Sequence, residues 1–562
     1  MNTIRRFWFY AVTLVALGIF AAGVERLLNL IFEVTVKGSQ LTQVGGTSFN
    51  QTQLSLGLAM TVIGGPLWLL FWRAVQRRVK GNQEEIGATM RKLFLNFVLL
   101  VSAFVMIISA AGFLKWLIAG VHPAQFSPGG PAAMITAGVI WFYHYRVSEG
   151  EGHPSSAAKT LRRWYVYILA VFGLLMASIS MVQLIDTAVV NLPVWGNVLI
   201  AGKFWTGGAQ GNVAWILFGV ATWYFYWFRM ARDDFDSKLR QVYFYLLTIS
   251  GGAITALAAA TIFLYHLFDR AFGGGTAAGV QYFQFLGWTV PAALVGLAIW
   301  GYHHRLAQEE AGRVQEKRQS ARRVYFYLMA FLGLVTAVAG LSILFGLLVE
   351  TGTPVIATAG WWRNQLSVAL SMLLVGAPLW LYYWNGILKR VQTGGIAEWR
   401  ALSRRIFLYV IIGASIVLLA ADLVNIIYEL LRNMLGGNFS ANFLHDAKWG
   451  LQTLVVAALL LWYHWRILRA DQHRGAESAV THRNVTLLSD DRTGDLSLRL
   501  ETKLGFKIRS LYQVGQTGAN LPALSEEEID RLVNEIQSST VDKIMVVMFD
   551  GRVMVLPYRD KL

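Results

Sequence analysis

Apolar runs of about 20 residues, the length that crosses the hydrocarbon core of a bilayer, recur along most of this chain. They begin near Phe7, Leu54, Leu93, Ala132, Trp164, Val213, Val242, Phe285, Val324, Leu366, Ile406 and Gly450. Twelve such runs in 562 residues, 55% of them hydrophobic and 21 of them Trp, fit no soluble domain. The expected fold is an all-α polytopic membrane protein of twelve transmembrane helices. The first run follows Arg5-Arg6 as a signal peptide would. It is too long for one, and its basic and aromatic opening recurs at later odd runs, so it reads as the first span.

The odd runs open alike: R-R-F-W-F-Y at 5, R-K-L-F-L-N at 91, R-R-W-Y-V-Y at 162, R-Q-V-Y-F-Y at 240, R-R-V-Y-F-Y at 322 and R-R-I-F-L-Y at 404. Even runs close on aromatic clusters, usually followed by arginine. Basic residues therefore gather on one side of six hairpins, while opposite loops such as H-P-A-Q-F-S-P-G-G-P at 122 carry almost none. The positive-inside rule then places both termini and the basic links in the cytoplasm, with Tyr and Trp as the interfacial belt. The formal net charge of +16 reads as attraction to anionic headgroups rather than to nucleic acid. The absence of cysteine excludes disulfides, thiolate metal sites and cysteine nucleophiles.

The hairpins alternate in type. Trp68, Trp223 and Trp380 mark the odd ones, 155 and 157 residues apart, and His144, His303 and His464 the even ones, 159 and 161 apart. The larger period is a four-helix unit present three times in parallel orientation. The expected boundaries are repeats at 1–159, 160–318 and 319–468, a linker at 469–484 and a cytoplasmic α+β domain at 485–562. In that tail, Ser525 and Glu528 have capping-box spacing, and Leu524 with Ile529 sits as a hydrophobic staple would. Ile529, Leu532, Val533 and Ile536 form one stripe, a helix stops near Gly505, F-K-I-R-S-L-Y-Q-V from Phe506 reads as a strand, and K-I-M-V-V-M-F-D-G-R-V-M-V-L as a hairpin turning at Asp550-Gly551.

Three imidazoles from His144, His303 and His464 could in principle bind a metal. Arg146, Arg305 and Arg466 lie beside them, and no carboxylate at fixed spacing is found to orient the rings, so the histidines read as interfacial repeat markers in the headgroup layer. Deep charge is the better functional pointer, because ionisable groups in hydrocarbon are costly. Glu25 and Arg26 in the first span and Asp422 with Asn425 in the eleventh form the candidate intramembrane polar cluster. The preferred role is a structural ion pair that joins span one to span eleven and closes the repeats into a ring; the alternative is an ion or proton path. The Gly64–Pro66 and Gly376–Pro378 steps read as packing kinks before gating hinges. Catalytic motifs such as G-x-S-x-G, H-E-x-x-H or a P-loop are absent from plausible contexts, and no catalytic residue, metal or cofactor is expected.

The R-R-x-Y-x-Y opening and the W-x-x-[YF]-[HYW]-[WYH]-R closure resemble a repeated bacterial membrane domain of unknown function, over the membrane part to about residue 470. Asn96 and Asn385 depart from the pattern. The resemblance implies a bacterial inner-membrane fold and no activity. The resulting expectation is a scaffold or sensor whose cytoplasmic tail docks a partner or signal. A transporter or channel with a path near Glu25, Arg26 and Asp422 is the alternative.

Overall fold

The computed structural model describes residues 3–37, 46–81, 83–153, 155–195, 204–235, 237–275, 279–310, 315–351, 360–393, 398, 401–436, 443–481, 484–489, 495–504, 506–512, 524–539, 541, 543–549 and 552–558. Helices follow the apolar runs in order: α1 (Thr3–Lys37), α2 (Gly46–Gly81), α3 (Thr89–Ile118), α4 (Gly129–Glu151), α5 (Ser156–Val190) and α6 (Gln210–Trp223). Then come α7 (Lys238–Ala271), α8 (Leu286–Glu310), α9 (Gln315–Thr351), α10 (Trp362–Thr393), α11 (Leu402–Leu435) and α12 (Lys448–Thr481).

Ten of these regions are long and apolar enough to cross a membrane, which makes this a membrane protein; α4 and α6 are the two that fall outside the ten. The last residues of α4, from Arg146 to Glu151, are mostly polar. α6 is regular for only 14 residues before it widens into a π-helical stretch, Tyr224–Met230. A second π stretch, Tyr243–Ile249, lies inside α7.

The chain divides into two compact units, residues 1–395 with 424–453, and residues 396–423 with 454–562. In the first unit each helix packs on its hairpin partner: α1 on α2, α3 on α4, α5 on α6, α7 on α8 and α9 on α10. Neighbouring hairpins meet through α5 on α3 and α8, α7 on α10, and α1 on α4. The crossings are made by glycine. A Cβ on Gly173 would lie 2.5 Å from the backbone nitrogen of Trp223, and one on Gly376 would lie 2.5 Å from that of Ala337. Lipid tails are as apolar as leucine, so helices here associate by close van der Waals contact, which small residues permit. Pro66 and Pro378 lie inside α2 and α10. Their companions Gly64 and Gly376 are filled by neighbouring backbone, as packed crossings require; a Cβ on Gly64 would lie 2.7 Å from the Phe20 nitrogen.

Hairpins are also closed by an arginine at the entrance and an acid at the exit. The pairs are Arg6 with Glu85 (2.7 Å), Arg91 with Glu151, Arg163 with Asp234 (2.6 Å), Arg240 with Glu310 (2.6 Å) and, in the second unit, Arg404 with Asp471 (2.6 Å).

The second unit carries the tail: β1 (Asn484–Ser489), α13 (Asp495–Leu504), β2 (Arg509–Tyr512), α14 (Glu526–Ser538), β3 (Lys543–Phe549) and β4 (Arg552–Pro557). The sheet order is β2-β1-β3-β4, with β1 parallel to β2 and β3, and β4 antiparallel to β3. One face is covered by both helices: Leu500, Ile529 and Ile536 pack on Leu487, Ile544 and Val546. Ser525 completes its capping box with Glu528. Arg499 and Lys503 of α13 reach Glu526 of α14, and hydrogen bonds from Lys503 and Arg499 hold the Glu526 carboxyl down at about 2.

The tail differs from expectation in two respects. The first strand, N-V-T-L-L-S, is central to the sheet, although its sequence gave little alternation to mark it. α12 runs on to Thr481, so most of the expected linker is helix; its run of Ala, Arg, Gln and Glu contains no proline to stop it. The turn at Asp550-Gly551 lies outside the described residues.

Candidate functional site

The three repeats share one side-chain arrangement at the basic ends of their helices, and its centre is histidine. His144, His303 and His464 are 1%, 1% and 0% exposed. The rings are enclosed by their own aromatic neighbours rather than turned out of the bundle. Each Nδ1 lies 2.8–2.9 Å from the carbonyl four residues earlier, that of Ile140, Ile299 or Leu460. A carbonyl can only accept, so Nδ1 carries the proton and Nε2 keeps its lone pair. His144 packs on Trp72 and Phe94, His303 on Trp227 and Tyr243, and His464 on Phe407.

An acid does recur at fixed spacing from these histidines, contrary to the expectation. Glu151, Glu310 and Asp471 each lie seven residues on, two helical turns along the same face. They bind arginine rather than imidazole. Arg91 Nε donates to Glu151 Oε2 at 2.9 Å, and Lys92 Nζ donates to the same oxygen at 3.0 Å. Arg240 makes a two-point contact with Glu310 at 2.8 and 2.6 Å, and Arg404 one with Asp471 at 2.6 and 3.1 Å. These guanidiniums are buried, and the forked geometry satisfies both carboxylate oxygens. Arg91 lies over Trp72 and Arg240 over Trp227 as cation–π partners. The opening arginines, read from sequence as topogenic, are therefore also hairpin clamps.

The second repeat departs from the other two at this cluster. Tyr243 stands where Phe94 and Phe407 stand in the others. Trp223 Nε1 donates to the Tyr243 hydroxyl at 3.0 Å, and that hydroxyl lies 3.3 Å from His303 Nε2, the lone pair of which it can reach. In the first repeat, His144 Nε2 is buried without a hydrogen-bond partner among the described residues. Two π stretches lie here too, a third (Trp205–Ala209) preceding α6, and π-helical insertions gather at functional sites. In the first and third repeats the helix after the tryptophan pair runs on to Gly81 and Thr393, whereas here it ends at Met230, three residues beyond Trp227. A crevice of about 590 Å³ opens beside it, floored by Trp227 and Arg240 and bordered by Arg229, Arg232 and Glu309. A smaller one, about 250 Å³, shares Arg229 and holds Lys159, Arg162 and Arg163.

The deep polar residues are placed differently from one another. Arg26 Nη1 donates to Gln53 Oε1 at 2.7 Å, inside the first hairpin. Glu25 lines an apolar cavity of about 290 Å³ between α1, α3 and α4, which Thr136 also lines. A Cβ on Gly129, at the start of α4, would lie 3.8 Å from Glu25 Oε1, so this carboxylate faces the positive end of a helix. Asp422 is 8% exposed, but Asn425 lies on the exposed side of α11 and does not extend its polar face. Ser415, Glu429 and Asn433 do; all are buried, and the seven-residue steps from Ser415 to Asp422 to Glu429 were the available signal. Among the described residues, no group of three or more His, Cys, Asp or Glu side chains is arranged to hold a metal.

Three stretches of the chain, 6–144, 163–294 and 323–447, match the domain of unknown function DUF5671. Each begins at the arginine that opens a hairpin, and together they cover more than half of the chain. No curated protein and no solved structure matches it.

Proposed function

The chain belongs to the DUF5671 family, with three copies of that domain, and from this premise we propose that it is a membrane scaffold whose C-terminal domain docks a protein partner. The topology that serves this reading has twelve spans in three parallel four-helix repeats at 1–159, 160–318 and 319–468. The chain would reside in a bacterial inner membrane, with both termini and the 485–562 domain in the cytoplasm, and the 469–484 segment would join the two parts. The entrance-to-exit clamps support twelve rather than ten crossings. Arg91 with Glu151 and Arg163 with Asp234 join the start of one helix to the end of its return, as they would if α4 and α6 brought the chain back. At about 1.5 Å per residue, the 23 residues of α4 are long enough to do so.

The observation that carries the docking reading is the open face of the tail sheet. Register sets Leu511, Leu488, Val547 and Met554 in one row across it, with Met545 and Leu556 adjacent in the next. Met554 is 58% exposed and Leu556 43%. All-parallel sheets are covered on both faces by helices, and three of these four strands are parallel. Here α13 and α14 supply one layer, and an amphipathic helix of a partner protein is the occupant that would supply the other.

The test places a photoreactive residue at Met554 in the full chain in native membranes, with Leu498 on the helical side as control. A discrete adduct mapping to one helix of one partner, formed from Met554 and not from Leu498, is expected. Purified chain in proteoliposomes should pass no solute. Saturable or voltage-driven flux, or equal labelling at both positions, would overturn the reading.

A second reading, transport, is favoured by the polar stripe of α11. Ser415, Asp422, Glu429 and Asn433 are buried, while Ile416, Val417, Val424 and Ile427 of the same helix are exposed. A helix apolar outside and polar inside is what a solute path requires.

A further inference from the structure

We propose that the crevice of the second repeat is a binding site for one phospholipid, which it holds by the phosphate and by donors on the headgroup. This rests on the membrane placement above, and not on the docking reading. The crevice exists because the helix after Trp227 stops at Met230, and its ending leaves about 590 Å³ beside the end of α8. Tyr224, Phe228 and Tyr302 border it and are exposed, so the opening is rimmed by rings suited to the headgroup boundary.

The charges are sorted by their partners. Arg240 is taken by Glu310, Arg163 by Asp234 and Arg162 by Glu149. Among the described residues, neither Arg229 nor Arg232 has a carboxylate within ion-pair distance, and both are exposed at the rim. Two guanidiniums beside an aromatic bed match a phosphate diester carried on an apolar body. Glu309 lies at the margin of this crevice and Asp233 at that of the smaller one beside it, and both would repel a purely anionic group. They suit a headgroup that carries N–H or O–H donors beyond its phosphate. A quaternary ammonium offers these carboxylates its charge but no hydrogen bond. Basic pockets between membrane helices hold headgroups by the same physics. The corresponding helices of the first and third repeats run on to Gly81 and Thr393, so the proposal is confined to the second.

The experiment uses full-length chain in nanodiscs of phosphatidylcholine doped with phosphatidylethanolamine or phosphatidylglycerol, released into native mass spectrometry. One doped lipid should be retained per chain in preference to phosphatidylcholine. Removing both charges in the R229Q/R232Q double variant should weaken retention about thirtyfold, with melting in phosphatidylcholine unchanged. The control R73Q/R77Q, in the first repeat, should retain lipid as the wild type does. Glu309→Gln should narrow the preference over phosphatidylcholine. Equal retention by the R229Q/R232Q variant and wild type would overturn the site. Displacement of the lipid by millimolar inorganic phosphate would overturn its assignment to a lipid.

Discussion

At the residue scale, the chain fixes charge in hydrocarbon surroundings by pairing it, and the pairs were only half visible in sequence. The arginines that open each odd helix announced themselves by repetition. Their acids did not, because Glu151, Glu310 and Asp471 sit in polar segments where an acid attracts no notice. The surroundings of the histidines were hidden for a related reason: an imidazole next to arginine and tyrosine suits a headgroup layer, and only packing shows that Trp72, Trp227 and their neighbours enclose it. The clamp at Arg404 offers a direct measure. Arg404→Met leaves Asp471 without its fork, and loss of one partner of a buried pair costs about 3–5 kcal/mol. Replacing both, in Arg404→Met with Asp471→Met, removes the desolvated charge as well and should recover most of that loss. Thermal unfolding in one detergent would report it. A double variant no more stable than the single would mean that the arginine acts through some other contact.

At the element scale, apolar period and length gave the helices and their order, because hydrocarbon leaves a spanning chain few alternatives. Glycine spacing along a helix does not reveal what crosses it. Gly219 illustrates this: a Cβ there would lie 2.6 Å from the backbone nitrogen of Ala177, and the matching contact recurs between Gly376 and Ala337. π-helical widening in α6 and α7 was likewise beyond sequence, since Y-F-Y and its neighbours read as ordinary aromatic belt. Gly219→Leu must push α5 and α6 apart and forfeit their contact. The expected result is a large fall in folded yield and melting temperature, with Gly18→Leu as control, since a Cβ on Gly18 would meet nothing within 4 Å. Equal melting of the two variants would show that the α5–α6 crossing can yield and does not hold the hairpin.

At the scale of the whole molecule, three copies of one domain raise the question of whether the bundle is a frame or a conduit. A frame needs its ionisable groups neutralised where they stand, and a conduit needs some of them to change partners. The clamp arginines satisfy the first condition, since each described clamp ties an entrance to its own exit. Glu25 faces the start of α4 and Arg26 donates to the neutral amide of Gln53, so both are held by dipoles within the first repeat. Asp422 is where the two possibilities separate, because it lies midway along the buried face of α11, seven residues from Ser415 and seven from Glu429. Asp422→Asn keeps the shape and removes the charge. In a frame the charge itself holds the residue in place, and its removal should cost about 1–2 kcal/mol. Melting temperature and assembled yield should then fall while proteoliposome conductance stays at the lipid baseline. In a conduit, the neutral side chain leaves the fold stable and alters conductance or its dependence on pH. The scaffold reading requires the first pattern, and a stable variant with changed conductance would assign α11 to a transport path.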